Sequence, residues 1–199
     1  MPEPAREVVL ASTSRYRREL LARILPPVRC VAPDLDESPL PNETPEAQVL
    51  RLARAKAARV ALACPDAIVI GSDQLAATGS GRLGKPGTAE AARRQLEALS
   101  NASVRFLTAV AVMDARSGRV LEATDVTEVR FRTLSAREIE RYVAREQPLD
   151  CAGSFKSEGL GIALFEWIRS EDPTALVGLP LIATCRLLRE LGVDALSAD

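Results

Sequence analysis

At 199 residues with 47% hydrophobic content, the chain can bury a full core as one domain, or as one domain with two lobes. Its 26 basic and 27 acidic side chains nearly cancel, so charge gives no case for nucleic-acid or anionic-membrane binding, and any basic site must be local. No apolar run nears the roughly 20 residues of a membrane span, and MPEPAREVVL lacks the basic start and long apolar core of a signal peptide, so a cytoplasmic protein without a membrane partner is expected.

In chain order, Val8 to Leu10 predicts a short buried strand, then a hydroxyl-rich turn Ser12-Thr13-Ser14, then a helix over 15–24. Tyr16, Leu20 and Ile24 fall four apart on one helical face, and Ser12 or Ser14 can cap the start. A strand, such a turn and a helix N-terminus present unpaired backbone N–H groups to an anion, with Arg17 and Arg18 adding charge; a capped helix with solvated arginines is the plainer alternative. Asp34-Leu35-Asp36-Glu37-Ser38, flanked by Pro33, Pro39 and Pro41, is an acidic loop whose carboxylates suit a hard cation such as Mg²⁺ or simply face solvent. Thr44-Pro45 opens a helix with Val49, Leu52, Ala53, Lys56 and Val60 along one side. Lys56 on this apolar stripe either snorkels to the edge or reaches into a cleft.

The stretch Asp66 to Ala76, DAIVIGSDQLA, reads as a β-branched strand over 67–70 that ends at Gly71. Ser72, Asp73 and Gln74 would then stand at a strand's carboxyl end, where ligands gather in open α/β sheets; plain turn chemistry accounts for Gly71-Ser72-Asp73 equally well. Residues 79–87 form a glycine-rich hairpin or loop holding Lys85-Pro86, without the spacing of a Walker loop, though a lysine fixed there can hold a phosphate. Thr88 caps a helix carrying Ala92, Leu96 and Leu99. Val104 to Met113 and Val120 to Arg132 predict an antiparallel pair joined at Arg116-Ser117-Gly118. Ser135-Ala136-Arg137-Glu138 is a capping box for a helix burying Ile139, Tyr142 and Val143, closed at Gln147-Pro148. CAGSFKSEGLG over 151–161 is poor helix and poor strand, and reads as a binding loop. A strand over 163–168 and a helix over 180–191, with Leu181, Cys185, Leu188 and Leu191 inward and Gly192 at its end, complete the chain.

The absence of histidine removes a Ser-His-Asp triad, a histidine base and a His-ligated metal, and leaves the chemistry to Asp, Glu, Lys or water. Cys30, Cys64, Cys151 and Cys185 lie too far apart for a CxxC site and are expected as buried, reduced thiols.

LASTSRYRRELL at 10–21, Asp36-Glu37, Lys56 in ARAKA, GSDQ at 71–74, GKP at 84–86, CAGSFKSEGLG and GLPL at 178–181 together resemble the Maf family of nucleotide pyrophosphatases, in order and over nearly the whole chain. GSDQ, in place of an ADT-type motif, and the AGSFKSEG loop resemble the subgroup that hydrolyses 7-methyl-GTP. The resemblance implies an elongated α/β fold of the Maf/ITPase kind, with a mixed twisted sheet, flanking helices and a cleft between two lobes. It also implies Mg²⁺ or Mn²⁺ dependence and a homodimer. It assigns Asp73 as the acid–base residue, which could orient a water directly or through a metal that Glu37 helps to hold. Arg15 stands where the family usually has proline, and Tyr16 where the subgroup often has tryptophan.

Each part of such a substrate then has a partner. Ser12, Ser14, Arg17, Arg18, Lys56 and Lys85 suit the phosphates, while Tyr16, Gln74 and Glu158 suit a cationic 7-methylated guanine. The expected reaction is hydrolysis of 7-methyl-GTP to the monophosphate and pyrophosphate. The alternatives are the dTTP/UTP specificity of other family members, or a nucleotide-binding regulator of cell division with little turnover.

Overall fold

Hydroxyl caps fix where most of the helices begin. A computed structural model describes residues 6–79 and 81–197. Residues 1–5, which open the stretch read against a signal peptide, lie outside the described residues, as do Ser80 of the glycine-rich hairpin and residues 198–199. Ser14 caps α1 (Arg15–Leu21), Thr44 caps α2 (Pro45–Ala61), Thr88 caps α3 (Ala89–Leu99), and Ser135 with Glu138 forms the expected capping box of α4 (Ala136–Glu146). The last helix, α5 (Leu181–Glu190), has no such cap from Pro180, the residue before it. Its first N–H groups meet the Asp172 carboxylate instead, through Ile182 N at 2.7 Å and Ala183 N at 3.4 Å.

The strands are β1 (Val8–Leu10), β2 (Arg29–Cys30), β3 (Ile68–Thr78), β4 (Gly81–Leu83), β5 (Ser103–Asp114), β6 (Val120–Phe131) and β7 (Phe165–Arg169). They form one sheet in the order β2-β1-β3-β5-β6-β7, with β4 paired to β3. The sheet is mixed: β1 runs parallel to β2 and β3, while β3–β4 and β6–β7 are antiparallel. The mixed α/β class read from the sequence is therefore the observed one. Among the described residues no helix is long and apolar enough to cross a membrane.

The chain divides into two compact units, residues 1–74, 108–125 and 172–199 in the first, and 75–107 with 126–171 in the second. In the first, Leu10, Ile68, Ile70, Val110 and Val112 of the sheet pack with Leu20 and Leu21 of α1 and Leu181, Leu187 and Leu188 of α5. In the second, Phe106, Phe131, Phe155 and Phe165 meet edge to face, at centroid separations of 4.8–5.7 Å.

Several boundaries differ from expectation. Helix α1 stops at Leu21, not residue 24, because Pro26 disfavours helical backbone at Leu25; its buried side is Leu20 and Leu21, with Tyr16 and Ile24 only half-buried. The strand expected over 163–168 starts at Phe165, since Leu160–Leu164 is a 3₁₀ turn. Helix α5 buries Leu181, Thr184, Leu187 and Leu188, which leaves Cys185 and Leu191 on its flank. The four cysteines are free thiols as expected, but only Cys64 is buried and Cys30 is exposed, because β2 is the outermost strand.

Candidate active site

The largest correction falls on the stretch around Asp73. Strand β3 does not end at Gly71 but runs on through Ser72, Asp73 and Gln74, so the turn alternative does not hold and Asp73 does not lie past a strand end. The reason is local. A Cβ on residue 71 would meet the Ala53 carbonyl oxygen at 2.2 Å and the Ala57 nitrogen at 2.6 Å, so glycine is the residue that lets α2 cross the strand in contact. Side chains of a strand alternate, and Gly71 and Asp73 accordingly meet α2 while Ser72 and Gln74 meet residues 175–178.

On the α2 side, the choice for Lys56 between edge and interior is decided by its exposure of 5%. Its Nζ donates to Asp73 Oδ1 at 2.7 Å and lies 2.9 Å from Glu37 Oε1, which the acidic loop brings to the same ammonium. Asp36 instead accepts from Ser38 N within the loop. Burial raises the pKa of Asp73, against the attraction of Lys56 and Arg17, with Glu37 adding to the rise. Arg17 is lowered by burial, opposed by Asp73 and Glu37. Two cations and two carboxylates thus form one mutually neutralising group.

On the other side, Ser72 Oγ donates to Gly178 O at 3.0 Å, and Gln74 Nε2 lies 2.9–3.0 Å from Thr108 Oγ1, Ala175 O and Leu176 O. The amide donors of Gln74 are therefore committed, and only its Oε1 can address a ligand, not donor and acceptor together. Arg17 Nε donates to Gly178 O at 2.9 Å, and its Nη1 reaches Ser12 Oγ at 3.5 Å. Ser12 Oγ accepts from Ser14 N, and Ser14 Oγ from Arg17 N, so the hydroxyl turn is ordered by its own bonds while both O–H groups remain available to donate.

The remaining predicted residues are less closely gathered. Arg18 is exposed on α1. The Arg15 guanidinium stands 4.8 Å over the Tyr16 ring, so one face of that ring already carries a cation. Lys85 and Glu158 belong to the second unit, and both are exposed. Lys85 leads from β4 towards α3. Glu158 is held on a well-anchored loop: Lys156 N donates to the Tyr142 hydroxyl, Lys156 Nζ to Glu146 O, and Leu160 N to Glu146 Oε2. Thr108 and the carbonyls of 175–178 were not singled out from the sequence, whereas Ser72 was. Thr108, a lone hydroxyl in the apolar run of β5 and fully buried, was the available signal.

Among the described residues no group of three or more His, Cys, Asp or Glu side chains is gathered to hold a metal. Glu37 and Asp73 nevertheless converge on one cationic centre, the Lys56 ammonium. Two carboxylates suffice for Mg²⁺ when phosphates and water supply the other oxygens, so the donor set fits an ion that arrives with a triphosphate.

The family model described as "Maf-like protein" matches residues 7–191. A "7-methyl-GTP pyrophosphatase" of Xanthomonas axonopodis pv. citri is 57% identical over 93% of this chain and 96% of its own length. Relatives of the same name from Aromatoleum aromaticum and a Polaromonas species are 56% and 54% identical, over 94% and 98% of this chain and 96% and 89% of theirs. Among solved structures, the Ham1 protein of Staphylococcus aureus is 18% identical over 63% of this chain and 72% of its own, at a TM-score of 0.45.

Proposed function

The chain belongs to the Maf family, and on that premise we propose that it hydrolyses 7-methyl-GTP to 7-methyl-GMP and pyrophosphate. The observation that carries the reading is the Asp73–Lys56–Glu37 group, with Arg17 beside it, in a chain more than half identical to the relatives named for that activity.

Asp73 is the base. Its carboxylate accepts a proton from the attacking water as oxygen bonds to the α-phosphorus and the bond to the β-phosphate's bridging oxygen breaks, releasing pyrophosphate. Its raised pKa suits it to that task better than an ordinary aspartate, because a base works best when its pKa approaches the operating pH. Lys56 orients Asp73 and, with Glu37 as its second partner, keeps one further N–H donor for a phosphate oxygen. Arg17 clamps the phosphates with a forked guanidinium, the hydroxyls of Ser12 and Ser14 donate to them, and Arg18 and Lys85 add charge. Asp73 and Glu37 would hold a divalent ion, Mg²⁺ or Mn²⁺, which supplies charge neutralisation on the triphosphate.

Recognition of the base is assigned to the Tyr16 ring, to Gln74 through its Oε1, and to the Glu158 carboxylate. A cationic purine gains roughly 0.5–2 kcal/mol over an aromatic face. The family resemblance supports a homodimer, and the substrate class supports the cytoplasm as the place of action. Pyrophosphate release from a panel of triphosphates tests the reading. The expected order places 7-methyl-GTP above GTP, dTTP and UTP; a preference for UTP or dTTP, or binding without turnover, overturns it.

A further inference from the structure

The segment from Asp172 to Ala183 is closed on itself by one buried carboxylate. Asp172 is 4% exposed. Its Oδ1 accepts from Thr174 N at 3.1 Å and Thr174 Oγ1 at 2.6 Å, and its Oδ2 accepts from Ile182 N at 2.7 Å and Ala183 N at 3.4 Å. Thr174 Oγ1 also lies 2.9 Å from Leu179 O and accepts from Leu181 N at 2.8 Å. The start of the segment is thereby tied to the first turn of α5, and the main chain between them forms a strap. The strap presents three carbonyls to the site: Ala175 O and Leu176 O to Gln74, and Gly178 O to both Ser72 and Arg17.

Arg17 depends on that strap. Apart from a long contact to Ser12, the described side-chain bond that fixes its guanidinium is the one to Gly178 O. Gly178 has φ +126°, a backbone that only glycine adopts readily, so the direction of this carbonyl is set by the strap and not by local preference. Asp73, by contrast, is gripped from the opposite face of β3 by Lys56.

We propose that Asp172 is a positioning residue for phosphate binding: through the strap it aims the Gly178 carbonyl that holds the Arg17 guanidinium. The proposal rests on the reading of Arg17 as a phosphate ligand. An asparagine at 172 keeps the shape but offers one accepting oxygen where the carboxylate offers two. Its NH₂ group then faces either the Thr174 donors or the α5 N–H groups, donor against donor.

The test is a double-mutant cycle on hydrolysis of 7-methyl-GTP, with Asp172→Asn, Arg17→Ala and the pair. Asp172→Asn is expected to lower kcat/KM roughly 10- to 100-fold, as a misplacement of about 1 Å does, with the loss divided between KM and kcat as it is in Arg17→Ala. The pair should be no worse than Arg17→Ala alone. Losses that multiply in the pair, or wild-type kcat/KM in Asp172→Asn, overturn the proposal. Should Asp172→Asn fail to fold, Thr174→Val takes its place in the same cycle with the same criteria. If Arg17→Ala itself retains wild-type kcat/KM, the phosphate-ligand reading fails and the proposal falls with it; a damaged Arg17→Ala with multiplying losses removes the proposal alone.

Discussion

Substituting Gly71 by alanine tests whether the contact between β3 and α2 builds the site. The added methyl would lie 2.2 Å from Ala53 O, 2.6 Å from Ala57 N and 3.0 Å from Ala57 Cβ, against an optimum of about 3.5–4.0 Å for carbon contacts. Two of these three atoms are helix backbone, which cannot swing aside as a side chain does. Helix and strand must therefore part by about 1 Å, and such overpacking costs roughly 1–3 kcal/mol. For a chain of this size that is a fall in melting temperature of roughly 2–12 °C. Lys56 lies between the two contacted residues, so the same displacement stretches its 2.7 Å bond to Asp73. Turnover should then drop about 100-fold, the usual cost of a misplacement near 1 Å. Thermal melting and pyrophosphate release measure both effects, with Gly79→Ala as the control, since nothing lies within 4 Å of a Cβ there. A Gly71→Ala protein that melts and turns over like the wild type would refute the argument.

Asp73→Asn keeps a hydrogen-bonding oxygen for Lys56 but cannot take a proton, so turnover should fall about 100-fold or more while nucleotide binding by calorimetry persists. Retention of more than about a tenth of the rate would remove Asp73 from its role. Tyr16→Leu and Glu158→Gln should each lower the kcat/KM ratio of 7-methyl-GTP over GTP, and Tyr16→Trp should preserve or raise it. An unchanged ratio in all three shows the base pocket to lie elsewhere. The Ser135 hydroxyl and N–H, with Arg132, hold the Glu138 carboxyl at about 2, below its ordinary 4.5. A depressed carboxylate stabilises the fold above its unfolded pKa, and that share disappears as pH falls from 4.5 through about 2. Glu138→Gln should thus melt lower than wild type near neutrality and converge with it near pH 2; a constant gap across that window would sink the assignment.

Much of this was legible in the sequence because it is written in residue types at short range. The caps at Ser14, Thr44, Thr88 and Ser135 are local, and each lies where the pattern put it. Lys56 stood out as a charge on an apolar stripe, which is why its partner could be sought. The run through GSDQ was misread because glycine, serine and aspartate carry the same signal in a turn as in a strand pressed against a helix. Only the helix, contacted from residues 53 and 57, tells the two apart. The strap was invisible for another reason: its working atoms are main-chain carbonyls, which every residue possesses, and they meet Ser72 and Gln74 across 101–106 positions. The face of α5 was misplaced because Thr184, a polar residue, is buried by a bond to Pro180 O at 2.7 Å.

The order in which the chain is made gives that strap a further meaning. Gly178 follows Ser72 by 106 residues, so at about 5–20 residues per second the ribosome finishes one end of the contact roughly 5–20 s after the other. Through that interval the nascent chain already carries Lys56 and Asp73 but lacks the strap carbonyls that receive Arg17 Nε and Gln74 Nε2. The Arg17 guanidinium therefore gains its carbonyl partner only once residue 178 has been made, and a cut ahead of residue 172 would remove that partner together with the core leucines of α5.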